Sequence, residues 1–337
     1  MVTLLADVIA RLLHSPDPSI RLRTRVDVLA EDLRLTQRER LEGEVVSSDR
    51  VRSLLSEREP DGRIHLHPYT KWVGAHWVLA ALADLGYPAG DRSLLPLLEQ
   101  VYEWLLSEEH LKPQPSHHAY AAPIREVSGR PRIHASIEGN AIYYSLKLGI
   151  ADDRTDILAR RLVDLQWPDG GWNCDRRPQA KISSFHESLI PLRGLTLHAK
   201  MKGSVQSDRA GRRAAEVFLK RRLLWRYSRP QQLISARFQE LSFPSYWHYG
   251  LLPCLKVLVE AGLIGDNRCD DAVKVLAGKR LQDGGFPCER VFYHRGRKAT
   301  SGRSLCDWGV AGRLRMNEFV TLDALCVLRS RGLPIQD

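Results

Sequence analysis

The sequence predicts an all-α fold of repeated helical hairpins, and three observations predict it. Segments that are apolar nearly all round alternate with clearly amphipathic ones, which reads as inner and outer helices in turn. A glycine-rich turn recurs after amphipathic stretches, and its glycines supply the positive φ that ends a helix. No Val/Ile-rich segment shows the period of two that a half-buried strand requires.

The elements follow in order. The first sixty residues read as helices over 2–13, 19–32 and 48–56, with Pro16 and Pro18 as breakers. Five buried segments, each ending near a glycine, span 72–86, 134–149, 183–194, 246–262 and 316–332. Amphipathic helices fall at 94–106, 155–165, 209–225 and 270–281. The expected organisation is an N-terminal helical extension over 1–60, packed on a main domain over 61–337.

Composition narrows the class. Of 337 residues 43% are hydrophobic and 27% charged, which suits a chain with a sizeable core. The longest apolar runs, such as Trp77 to Ala83, fall far short of the roughly 20 residues that span a bilayer. The N-terminal residues meet Asp7 early and lack a basic region, so a cytoplasmic chain with six reduced cysteines is expected. The net charge of +10 is clustered. Lys200 to Arg229 holds ten basic residues against Asp208 and Glu216 alone, and Arg290 to Arg303 holds five with no acid between them. Such clusters suit a solvated face, or a surface for anionic head groups, phosphates or the periphery of an anionic membrane. No nucleic-acid reader motif is present, so nucleic acid is not an expected partner. His117-His118, between Pro115 and Pro123, reads as an exposed loop.

The turn has two copies. Leu165-Gln166-Trp167-Pro168-Asp169-Gly170-Gly171-Trp172-Asn173-Cys174-Asp175 is echoed by Leu281-Gln282-Asp283-Gly284-Gly285-Phe286-Pro287-Cys288-Glu289. The first resembles the QW motif of squalene-hopene and oxidosqualene cyclases. The second is similar to the repeat of protein prenyltransferase β-subunits. The resemblance covers roughly residues 70 to 332 and implies an α/α toroid, a barrel whose inner helices line a central cavity. It also implies an isoprenoid or other hydrophobic substrate, with a diphosphate where the basic segments meet it.

In such a barrel the starts of the inner helices line the cavity mouth, and polar and aromatic residues collect there. The candidate catalytic residues are His76, His134, Glu138, His186, Glu187, His248 and Glu318. The candidate substrate-binding residues are Trp72, Trp77, Asn140, Tyr143, Tyr246, Trp247 and Asn317. A terpene cyclase-like enzyme needs a strong acid, aromatic faces for carbocations and a dry cavity. The Asp-x-Asp-Asp-Thr motif of class II cyclases is absent. On the family pattern Glu138 falls at its proton-donating carboxylate, with Ser136 and Gly139 in place of the flanking acids. A lone Glu needs an apolar site to raise its pKa for that task. The alternative is a zinc-dependent prenyltransferase-like or hydrolytic enzyme, with Cys174, Asp175, Cys288 and Glu289 as metal ligands beside His186. A third reading is a non-catalytic isoprenoid- or lipid-binding repeat protein.

Overall fold

The computed structural model describes residues 2–111, 126–127 and 129–333. His117-His118 lies outside the described residues. The helices are α1 (Val2–Leu13), α2 (Pro18–Arg23), α3 (Leu35–Val46), α4 (Asp49–Leu54), α5 (Ala75–Leu85), α6 (Leu95–Leu105), α7 (Glu108–Leu111), α8 (Ala135–Lys147), α9 (Asp153–Asp164), α10 (Phe185–Lys202), α11 (Val205–Leu219), α12 (Leu251–Glu260), α13 (Asp270–Ala277) and α14 (Glu318–Ser330). A π-helical turn, Thr24–Val28, continues α2. Three short strand pairs decorate the connections: β1 (Glu126–Val127) with β2 (Arg130–Pro131), β3 (Trp225–Arg226) with β4 (Arg229–Leu233), and β5 (His294–Arg295) with β6 (Arg303–Ser304).

Six inner helices form a closed ring. Helix α2 packs on α5, α5 on α8, α8 on α10, α10 on α12, α12 on α14, and α14 returns to α2. Outside them α3 packs on α2, α6 on α5, α9 on α8, α11 on α10 and α13 on α12. The segment expected as an extension supplies α2, the element standing between α14 and α5. Helix α3 was not expected, because its sequence is strongly charged and buries only Leu41 and Val45. Helix α10 continues eight residues past Gly194, where the sequence suggests a stop. Gly194 instead lets α8 approach: a Cβ there would strike the Gly139 carbonyl. Gly139 is the reciprocal point, since its Cβ would lie 2.6 Å from the Pro191 nitrogen.

The glycine-rich turns seat each outer helix against the next inner one. In the first, Trp167 N–H donates to the Gly171 carbonyl at 2.8 Å, and Gly170 takes φ of 104°. Asp169 accepts from the Ser183 amide and hydroxyl at 2.8 and 2.6 Å. The Gln166 amide donates to the Gly170 and Ala210 carbonyls. In the second, Leu281 N–H donates to the Gly285 carbonyl at 2.9 Å. The shared hydrogen bond sets Leu281 against Trp167. Gln282 therefore stands where Pro168 does, and the two glutamines that the sequence pairs are not equivalent.

The barrel axis is filled by charge. Arg193 of α10 bonds Glu260 of α12 at 2.6 and 2.7 Å, Asp84 of α5 at 2.8 Å and the Tyr143 hydroxyl of α8 at 2.6 Å. Asp323 of α14 joins Arg23 of α2 at 2.6 Å to Lys256 of α12 at 3.1 Å. Burial alone would raise the Asp84 carboxyl, but Arg193 and Lys256 hold it at about 2. Buried charges of this kind are tolerable only when paired.

Two stability changes follow. Arg193→Met takes the buried guanidinium from the half-buried Asp84 and Glu260 and is expected to cost about 1.5–3 kcal/mol in denaturant unfolding. Gly139→Ala drives a methyl into the α8–α10 contact and is expected to cost about 1–3 kcal/mol, read as a lowered Tm.

Candidate functional site

The N-terminal ends of α8 and α10 open onto a pocket of about 620 Å³. Its lining includes Tyr69, Lys71, His134, Ser136, Cys174, His186, Glu187 and Trp247. Its position follows from the glycine contact, which draws α8 and α10 together and so brings the residues at their starts within reach. Ser184 caps α10 by accepting from the Glu187 amide at 3.4 Å. This fixes the first turn of α10, on which His186 and Glu187 lie.

At the centre stand His134, Cys174 and Glu187, of which a ring nitrogen, the Sγ and a carboxylate oxygen all lie within 4.8 Å of one another. Glu187 is buried, and its two oxygens are divided: one accepts from the Ser136 amide at 2.9 Å and the other faces His134 Nδ1 at 3.4 Å. Burial would raise the Glu187 carboxyl. The imidazole of His134 and the amide of Ser136 outweigh it and hold the group below its ordinary value. The hydrogen bond from His134 to Glu187 raises the imidazole in turn. Burial, with Glu187 alongside, pushes the Cys174 thiol well above its ordinary range.

His186 stands across the pocket. The Tyr249 amide donates to its Nδ1 at 2.8 Å, so the neutral ring carries its proton on Nε2. Burial holds its pKa below the ordinary value and keeps it neutral. Trp247 faces His186 at 5.6 Å and stacks on His248 at 3.9 Å. His248 is closed on its other face by Phe292 at 3.6 Å, and burial lowers it to about 4. Lys71 holds its ammonium near the faces of Trp72 and Trp247, at 5.9 and 5.6 Å.

The other expected residues are committed elsewhere. Glu138 is 1% exposed and lies 3.1 Å from Arg161 of the outer helix α9, outside the lining of this pocket. Burial pushes its carboxyl up to about 7 although Arg161 opposes the shift. His76 is fully buried against Asn140 and Tyr144 at 3.4 and 3.2 Å, and burial lowers it to about 3. Tyr143 serves the axial ion network. Trp72 stacks on Tyr246 at 3.7 Å and meets Trp77 edge-on at 4.8 Å. Glu318 accepts from Ser15 at 2.8 Å, and Asn317 caps α14 through the Val320 amide. Sequence reasoning missed Lys71, Tyr69 and Arg161. The first two precede the first expected inner helix in a loop without a motif, and Arg161 reads as solvated outer-helix charge.

The chain is an α/α toroid. A solved polysaccharide lyase matches it at 11% identity and a TM-score of 0.50, over 98% of each chain. An unsaturated glucuronyl hydrolase from Bacillus sp. GL1 is 15% identical, at a TM-score of 0.46 over 93% of this chain and 84% of that one. A type II terpene cyclase from Scytonema, solved with geranylgeranyl dihydroxybenzoate, is 13% identical at a TM-score of 0.25, over 98% of each chain. No family model matches, and no curated protein matches by sequence. At these identities the likeness speaks to the fold alone. Among the described residues no helix is long and apolar enough to cross a membrane.

The zinc expectation can be tested against the donors. Asp175 accepts four hydrogen bonds from Arg177, through its backbone amide, Nε and a terminal guanidinium nitrogen. Glu289 is bound by Lys279 at 2.6 Å and by the Leu241 amide at 2.9 Å. Cys288 points its thiol to the Arg290 carbonyl at 3.3 Å. Among the described residues only Cys174 of the four expected ligands stands in a cluster of metal-binding types, with His134 and with Glu187, to which its thiol is hydrogen-bonded.

Glu138 supplies a pH test. Its folded value of about 7 lies above the ordinary 4.5, so the folded state holds this proton more tightly. The stabilisation is full below pH 4.5 and is lost as pH rises through 7, a fall of roughly 3 kcal/mol. Glu138→Gln is expected to remove that slope from the unfolding free energy measured between pH 4.5 and 8.

Proposed function

We propose that this chain is an enzyme whose active site is the pocket at the starts of α8 and α10. It acts on a polar bond, by hydrolysis or group transfer, in a small substrate with an apolar body. One observation carries the reading: an imidazole, a thiol and a carboxylate from three separate segments meet in one open pocket, opposite a neutral histidine. His134, Cys174 and Glu187 form the reacting group. His186, with its proton fixed on Nε2, donates a hydrogen bond to charge developing on a substrate oxygen. Tyr69 and Trp247 offer apolar faces to the substrate body, and Lys71 attracts an anionic head.

This reading favours polar-bond chemistry over acid-initiated cyclisation. Glu138 is held against Arg161, and Trp72 and Tyr246 cover one another's faces. Wild-type, His186→Phe and Glu138→Gln proteins are to be assayed on long-chain esters, prenyl diphosphates and an uncharged polyene. Turnover of an ester or diphosphate is expected. His186→Phe should lower kcat by about 10²–10³ with little change in KM, and Glu138→Gln should keep turnover. Turnover of the polyene alone, dependent on Glu138, would restore the cyclase reading. Binding of these compounds without turnover would support a carrier.

A further inference from the structure

We propose that His134 Nδ1, Cys174 Sγ and a carboxylate oxygen of Glu187 hold a divalent cation of the zinc type. The inference deepens the reading of the same pocket but does not depend on catalysis for its test.

The donor set argues first. Imidazole, thiolate and carboxylate together suit a borderline-soft cation and suit magnesium or calcium poorly. Three protein donors facing an open pocket leave a fourth position for water or substrate.

Spacing argues second. A tetrahedral ion with bonds of about 2.0–2.3 Å sets its ligand atoms roughly 3.3–3.7 Å apart. The 3.4 Å between His134 and Glu187 is long for a charged hydrogen bond and fits two ligands of one ion. Cys174 Sγ lies within 4.8 Å of both.

Support around the ligands argues third. The Ser136 amide occupies one Glu187 oxygen at 2.9 Å and leaves the other for the ion, as an outer-shell partner does. The three donors come from separate parts of the fold. His134 precedes α8, Cys174 follows the first glycine-rich turn, and Glu187 lies in the first turn of α10. The second turn is an internal contrast. Cys288 occupies the place of Cys174, yet it is buried against carbonyls, and among the described residues it joins no cluster of an imidazole and a carboxylate. Binding would replace the Cys174 S–H bond by a sulfur–metal bond and release that proton to solvent.

The test uses the full chain, stripped of metal with chelator. Zinc affinity is measured by calorimetry against a competing chelator, and the cobalt(II) form by absorption spectroscopy. One ion per chain is expected, with a thiolate-to-cobalt charge-transfer band. Cys174→Ser should abolish the band. His134→Ala and Glu187→Gln should each weaken zinc binding by more than the roughly 10–100-fold lost with an outer-shell partner. Asp175→Asn and Cys288→Ser should bind as wild type. Circular dichroism establishes that each variant is folded. A folded wild-type chain that takes up no stoichiometric zinc overturns the proposal, as does a cobalt spectrum unchanged in Cys174→Ser. Turnover by a protein that takes up no zinc would end the metal proposal and leave the proposed function standing. Zinc bound at these ligands without turnover of any substrate would do the reverse.

Discussion

The barrel depends on the ion network that crosses its axis. Every inner helix gives it a side chain: Arg23, Asp84, Tyr143, Arg193, Lys256 with Glu260, and Asp323. Arg23, Tyr143, Arg193 and Asp323 are buried and Asp84, Lys256 and Glu260 half-buried, so a helix that rotated or slid would strand a buried charge or hydroxyl without its partner. The network thereby fixes the rotation of six helices at once. A second cavity, of about 480 Å³, is lined by Arg23, Asp84, Tyr143, Arg193, Lys256 and Glu260. The open space left at the helix starts is where His134, Cys174 and Glu187 gather.

A second constraint sits between α8 and α10. Gly139, Pro191 and Gly194 let two backbones approach where any Cβ would clash. That approach sets the distance between His134, just ahead of α8, and Glu187, at the start of α10. The first glycine-rich turn then adds Cys174. Trp172 anchors this turn by donating from its indole to the Leu162 carbonyl at 3.0 Å, and its backbone carbonyl accepts from the Ser184 amide at 2.8 Å. Packing far from the pocket is therefore what determines the geometry inside it.

The basic stretches behave differently from the site. Arg222 is paired with Asp271, Arg212 with Asp208, and Arg213 donates to the Trp167 carbonyl. Much of what reads as a charged surface from Lys200 to Arg229 is thus engaged in seating α11 and its flanking turns. The second basic segment packs back on the mouth through Phe292, which stacks on His248, and through Gly302, whose amide bonds the Lys71 carbonyl. Its contribution to the pocket is shape, delivered by the residues between its charges.

The sequence by itself determined the helical class, the alternation of inner and outer helices and the two turns. Those features rest on local periodicity and on glycine φ, which a chain carries wherever it folds. It also marked the end of the barrel onto which the pocket of His134, His186 and Glu187 opens, because polar residues at inner-helix starts are visible in one dimension. Tertiary structure decided which of them meet. His134, Cys174 and Glu187 come together only because α8 and α10 pack at their glycines. Glu138 lies one helical turn further along α8 than His134, about 6 Å deeper from the mouth, and there it meets Arg161 of the outer helix at 3.1 Å. The offset between Gln166 and Gln282 was already legible, since they stand three residues and one residue ahead of their Asp-Gly-Gly, and the folded turns keep that register. Closure of the ring through α2 was a tertiary outcome, settled by Arg23 reaching Asp323 across 300 residues of chain.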